Sequence, residues 1–196
     1  PLATVRSHLE GMIDQVIPPT KENLESLLEE VGRLTSLIDG LQEIALSDKA
    51  IYNFEIKPLE LSSFLSETAQ RFEPLFKAKN LELKCFTGEP CVIETDREAL
   101  AKILDNLLSN AMKYTPSGKE VRLAMSITGN AALIDVSDQG TGISAVDLPY
   151  IFERFYRTDR SRNRESGGFG LGLTIAKELT EALGGTISVV SKLGEG

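Results

Sequence analysis

Asn106 and Asn110 stand four residues apart in the run Asn106-Leu107-Leu108-Ser109-Asn110-Ala111-Met112-Lys113-Tyr114, so on a helix their amides face the same way. Ile103, Leu107 and Ala111 make the adjacent stripe apolar. One reading of the two amides is therefore structural, as caps or as hydrogen-bonded groups beside a core. The other is ligation. An amide oxygen is a good neutral donor to the hard Mg²⁺ ion, which keeps several waters and the phosphates of its substrate. Three glycine-bearing patches offer a complementary chemistry: Asp138-Gln139-Gly140-Thr141-Gly142, Gly167-Gly168-Phe169-Gly170-Leu171-Gly172-Leu173 and Gly194-Glu195-Gly196. Glycines ahead of a helix let backbone amides approach and hold phosphate, aided by the positive end of the helix dipole. Any one patch could be a plain turn, and the second has neither the G-x-G-x-x-G spacing nor a Walker A lysine. Three in one stretch of chain make turns alone a poor explanation.

The elements that must position these residues follow from periodicity. Leu2, Val5, Leu9, Met12 and Val16 are spaced as a heptad seam, predicting a helix over 1–17 that Pro18 and Pro19 break. A second helix, 21–47, carries Leu24, Leu27, Val31, Leu34, Ile38, Leu41 and Ala45 in the same alternation. Two such helices bury too little alone, so pairing into a four-helix bundle is the expected completion. From residue 52 the pattern changes. Phe54 and Ile56 alternate before Pro58 as a short strand, and 61–79 reads as a helix with Pro74 inside it. Leu81, Leu83 and Cys85 form a strand, and Val92–Glu94 another. Asp96 is placed to cap the helix that carries the two asparagines. Strands are expected at 121–127 and 131–136 around Gly129-Asn130. After a polar stretch come a helix near 171–183, a Gly184-Gly185 stop and a strand at 186–190. Strands and helices mixed without strict alternation predict an α+β sandwich. The division expected is 1–50, a helical hairpin, and 51–196, the site-bearing unit.

With 196 residues, 41% hydrophobic and 26% charged, the composition is that of an ordinary globular protein. A net charge of −8 argues against a nucleic-acid partner. No run approaches the roughly 18 apolar residues of a bilayer span. Cys85 and Cys91 lack metal-ligand spacing and read as reduced thiols.

Asn106–Tyr114 resembles the N box of sensor histidine kinases, and Asp138–Gly142 their first glycine box. Ile151-Phe152-Glu153-Arg154-Phe155-Tyr156-Arg157 resembles their F box, Gly168–Leu173 the second glycine box and Gly194-Glu195-Gly196 the last. All five stand in the family's order and spacing. The resemblance implies a two-layer α/β sandwich of the Bergerat type that binds ATP, behind an antiparallel helical hairpin. Pro1-Leu2-Ala3 resembles the end of an H box, which puts the phosphoacceptor histidine five residues before Pro1 and the family's last strand beyond Gly196.

The same resemblance assigns roles. Asn110 would coordinate Mg²⁺ with Asn106 beside it, Lys113 would meet a phosphate, and Tyr114 would pack on the base. Asp138 would accept the adenine amino group, within the loop of Gly140 and Gly142. Ile143 and Ile151 would line the adenine pocket. Arg157, Arg160, Arg162 and Arg164 border or occupy a lid over 157–168, although most of an arginine run is ordinarily a solvated loop. Gly168, Gly170 and Gly172, with Leu171 and Leu173, would form the hinge and the phosphate-side backbone.

The function implied is that of an ATP-dependent protein-histidine kinase core. It would act as a homodimer through residues 1–48 and relay phosphate to a response regulator receiver domain. Its place would be cytoplasmic, tied to a membrane only through upstream segments. Gyrase-type, chaperone-type and mismatch-repair ATPases resemble this fold too, but they generally carry a glutamate where this chain has Asn106, to activate water. A degenerate dimeric scaffold is the non-enzymatic rival. His8, the only histidine, is followed by Leu9 where an H box has an acid, and is expected to be structural.

Overall fold

The computed structural model describes residues 2–47, 52–129, 131–158 and 169–196. Helix α1 spans Leu2–Ile13 and α2 spans Lys21–Ser47. The first is shorter than its heptad predicts. Val16 and Ile17 both donate backbone N–H groups to the Gly11 carbonyl, and Gln15 takes φ +56°, so the chain reverses before the prolines are reached. The apolar residues of the pair are largely unburied: Leu28 is 72% exposed and Ile13 77%, while Leu27 is enclosed. The side chains of Leu41 and Ala45 lie outside the described set.

The rest is an α+β fold. Strand β1 (Lys57–Glu60) pairs antiparallel with β3 (Val92–Thr95). Strands β2 (Glu82–Phe86), β4 (Glu120–Thr128) and β5 (Ala131–Asp138) form a second sheet in the order β2-β4-β5. The β2/β4 pair is parallel and the β4/β5 pair antiparallel. Helices α3 (Leu61–Ala78) and α4 (Arg97–Tyr114) cover one face of that sheet, and α5 (Gly172–Ala182) packs on α4. The sheet's covered face presents Leu83 and Cys85, then Val121, Leu123 and Met125, then Ile134 and Val136, alternating with exposed residues as a two-residue period demands. Leu61, Leu65, Leu104 and Leu108 meet it, none more than 1% exposed.

Two local expectations are corrected. The first strand is not at Phe54–Ile56: Phe54 stacks on Tyr52 with centroids 5.0 Å apart, and the ladder begins at Lys57. Pro58 is tolerated there because, among the described residues, the strand has a partner on one side only. Helix α3 runs to Ala78 with Pro74 inside it, as the spacing predicts. Residues 186–190 carry no ladder among the described residues, so apolar alternation there does not amount to a strand. A short 3₁₀ turn, Leu148–Tyr150, was not anticipated.

Candidate functional site

Two helix starts are fixed by carboxylates. Asp96 Oδ1 accepts the Ala99 N–H at 2.9 Å and thereby starts α4, while its Oδ2 accepts the Glu55 N–H at 2.7 Å. Glu60 caps α3, accepting the Ser63 and Ser62 amides at 2.7 and 3.1 Å. Those bonds, from Ser63 first, hold its carboxyl down to about 2. The frame on which α4 rests is thus set at its N-terminus.

The run Asn106–Tyr114 is the C-terminal half of α4. Asn106 Nδ2 donates to the Lys102 carbonyl at 2.9 Å. Its Oδ1 lies 2.8 Å from the point at which a Cβ on Gly172 would sit, so the amide end is packed against the first residue of α5. Any larger residue at 172 would displace it. Asn110 follows one turn later on the same side of α4, half-buried. At the end of the run the Lys113 ammonium sits 4.7 Å from the centroid of the Tyr114 ring, which is 42% exposed.

The loop after β5 meets that far end. Asp138 Oδ1 accepts the Gly140 N–H at 2.7 Å in an Asx turn. Gly140 is buried, and a Cβ there would stand 2.8 Å from the Tyr114 carbonyl oxygen, which also accepts the Thr141 N–H at 3.3 Å. Gly142 has φ +65°, and Ile143 donates its N–H to Ser191 Oγ at 2.8 Å. Gly194 N–H bonds the Thr141 carbonyl at 2.8 Å, so the first and last glycine patches are clipped together.

The second glycine loop is held by the segment before it. Phe155 N–H donates to the Gly170 carbonyl at 3.0 Å, Thr174 Oγ1 to the Phe152 carbonyl at 3.0 Å, and the Arg154 guanidinium to Glu178 at 2.9 Å. Ile151 and Leu171 are buried, Leu173 and Arg157 half-buried. Gly168, Arg160, Arg162 and Arg164 lie outside the described residues.

The geometry therefore has the C-terminal half of α4 as its floor, with one glycine loop at each end of the run Asn106–Tyr114. Asn106 and Tyr114 are eight residues apart, about 12 Å along a helix. That separates a carboxylate-bearing loop from a helix N-terminus by the order of an extended nucleoside triphosphate. Among the described residues there is no cluster of three His, Cys, Asp or Glu side chains able to hold a metal. A cation here would take amide oxygens from the protein, which are the donors Asn106 and Asn110 present; that set suits Mg²⁺ completed by phosphate and water. A separate cleft of about 480 Å³, lined by Phe152, Glu153, Arg154, Thr174, Lys177, Glu178 and Glu181, contains none of the expected nucleotide contacts.

Ser191, Thr174 and Arg154 are the supports that sequence reasoning missed. Ser191 works across 48 residues, and no local spacing signals it. For Arg154 and Thr174 the signal was available: the F-box arginine lies in a motif already singled out, and Glu178 and Thr174 fall one turn apart on the next helix.

Residues 95–196 match the family described as histidine kinase-, DNA gyrase B- and HSP90-like ATPases. Over 187 residues the chain is 36% identical to the signal transduction histidine-protein kinase BaeS of Escherichia coli (strain K12), which covers 95% of this chain and 40% of that protein. The chain thus spans about two fifths of that curated relative. Among solved structures, the Acinetobacter baumannii histidine kinase AdeS superposes with a TM-score of 0.82, covering 99% of this chain and 90% of that one, at 22% identity. Full-length ShkA in complex with AMPPNP superposes with a TM-score of 0.77 over 92% of this chain and 38% of that one, at 28% identity. Among the described residues, no helix is long and apolar enough to cross a membrane.

Proposed function

The chain belongs to the sensor histidine kinases, within the histidine kinase-, DNA gyrase B- and HSP90-like ATPases, and on that premise we propose that it binds Mg-ATP along α4 and passes the γ-phosphate to a histidine of the dimerisation helices. The observation that carries this reading is the pair of junctions on one helix, Asn106 against Gly172 and Tyr114 against Gly140.

The adenine end is the Asp138 loop. One carboxylate oxygen is committed to the Gly140 N–H, which leaves the other to accept an amino group. Guanine has a carbonyl at that position, and a carboxylate cannot satisfy it. Tyr114 packs on the base, and Ile143 and Ile151 supply apolar wall. The phosphate end is the N-terminus of α5, where Gly170, Gly172 and Leu173 present backbone near the positive end of the helix. Asn110 and Asn106 hold Mg²⁺, which when bound would offset charge on the phosphates. Lys113 neutralises a further phosphate oxygen.

In the transfer itself an imidazole nitrogen bonds to the γ-phosphorus as the bond to the β-γ bridging oxygen breaks, and ADP leaves. Position 106 carries an amide, which cannot deprotonate water, so a neutral imidazole is the better acceptor. After transfer a response regulator receiver domain takes the phosphate from the histidine. The exposed apolar residues of α1 and α2 form the homodimer seam, and His8 remains structural.

Calorimetry with Mg-ADP tests the nucleotide reading. Asp138→Asn should lose about tenfold or more in affinity, the scale of a bond to a charged group. Asn110→Ala should abolish the Mg²⁺ dependence of binding. Wild-type ADP affinity in Asp138→Asn removes the adenine role.

A further inference from the structure

Phe155 takes φ +65°, a left-handed conformation that costs free energy in a residue with a bulky side chain and persists only where its surroundings hold it. Its side chain is 56% exposed, so burial does not offset that cost. What the turn achieves is contact with the second glycine loop. The Phe155 N–H donates to the Gly170 carbonyl at 3.0 Å, and a Cβ on Gly170 would stand 2.5 Å from the Tyr156 carbonyl oxygen. Gly170 itself takes φ +73° and lies two residues before Gly172, which packs on Asn106. The conformation at 155–156 therefore sets where the phosphate-side loop lies.

One side chain fastens this turn to the other end of the site. Tyr156 Oη donates to Asp147 Oδ1 at 2.5 Å, a short bond to a carboxylate, and the Tyr156 ring packs on Tyr150 with centroids 5.6 Å apart. Asp147 stands at the N-cap position of the 3₁₀ turn, yet its carboxylate makes no cap bond and is given to the tyrosine instead. The Asp147 N–H donates to the Ser144 carbonyl at 2.9 Å, and Ser144 adjoins Ile143, whose own N–H is held by Ser191. The Tyr156–Asp147 bond thus closes residues 147–156 into a ring. One end of the ring is tied to the chain leaving the first glycine loop, and the other lies on Gly170. Helix α4 spaces the two glycine loops through Gly140 and Gly172. The ring is a second connection between them, and it hangs on one hydroxyl.

We propose that Tyr156 is a positioning residue for the phosphate end of the nucleotide site: bonded to Asp147, its hydroxyl holds the strained Phe155 turn, and with it the Gly170 loop, in place before phosphates arrive. Tyr156 acts through that loop and needs no contact with the nucleotide. Without the hydroxyl the turn relaxes toward an ordinary φ, and binding has to restore it. The loss then falls on ligands whose phosphates reach the Gly170 loop and spares those held by the adenine end alone. This inference rests on the nucleotide reading of the site.

The test uses the whole chain with two probes, Mg-ADP and AMP, which lacks the second phosphate. The variants are Tyr156→Phe, Asp147→Ala, Asp147→Asn and the Phe/Ala double variant. Tyr156→Phe should weaken Mg-ADP binding about fivefold while AMP binding stays within about twofold of wild type, which also shows that the variant is folded. Asp147→Ala should lose as much as Tyr156→Phe, and the double variant no more than either, because the two groups form one bond. Asp147→Asn keeps an acceptor oxygen and should stay within about twofold of wild type. Unchanged Mg-ADP affinity in Tyr156→Phe overturns the proposal. So do equal losses for the two ligands, losses that add in the double variant, or an Asp147→Asn variant as weak as Asp147→Ala. A wild-type chain that binds neither ligand instead overturns the nucleotide reading itself.

Discussion

Asn106 Oδ1 stands 2.8 Å from the position a Gly172 side chain would take, while the same amide is tied through Nδ2 to the Lys102 carbonyl. The asparagine cannot turn aside without breaking that second bond. A substitution at Gly172 therefore acts on stability and binding together. Gly172 is the first residue of α5 and has no left-handed φ, so the cost of alanine there is the contact with Asn106 and not backbone strain. Gly172→Ala should lower the ligand-free melting temperature by a few degrees, through loss of the Asn106–Lys102 bond, and lower Mg-ADP affinity about tenfold. Scanning fluorimetry and calorimetry on one preparation check both signs.

Much of this was legible in the sequence, for identifiable reasons. The bounds of α2 follow from a sustained heptad after two prolines, and the start of α4 from the Asp96 cap. Asn106, Asp138, Gly140 and Gly172 could be singled out because their types are chemically unusual at those spacings. What was not legible depends on partners distant in the chain. Phe54 alternates with polar residues, yet it is half-buried by stacking on Tyr52 and packing near α5 and not by a ladder, so periodicity reported partial burial and mislocated the strand. The early end of α1 rests on Gln15 at φ +56°, which its type does not announce. The Ile143–Ser191 clip joins positions that only the folded chain brings together.

Acid should weaken the fold through Glu60. Hydrogen bonds from Ser63 and then Ser62 lower its carboxyl from an ordinary 4.5 to about 2. The folded state thus favours the ionised form, and the associated stability is complete above pH 4.5 and lost as the pH falls toward 2. Urea unfolding of wild type and Glu60→Gln at about pH 7 and about pH 3 should show a gap that narrows at the lower pH. A gap independent of pH would mean that the ionised cap contributes nothing.

The hairpin should carry self-association. Leu2, Ile13 and Leu28 are each more than 70% exposed, and Leu24, Val31 and Ile38 add to the same helices. Exposed apolar rows at heptad spacing need a partner helix. Light scattering should give a dimer for the full chain and a monomer after removal of residues 1–48. A dimer that persists without them places the interface elsewhere.

Phosphotransfer to histidine is tested most directly by adding radiolabelled ATP to the chain, alone and together with a separate hairpin carrying a complete H box. Label should appear on the added hairpin as acid-labile, base-stable phosphate, and the chain alone should remain unlabelled because His8 lacks the acidic neighbour of an acceptor. Release of free phosphate with no labelled hairpin would make the chain an ATPase. Acid-labile label on the chain itself, lost in His8→Ala, would contradict the assignment of the acceptor.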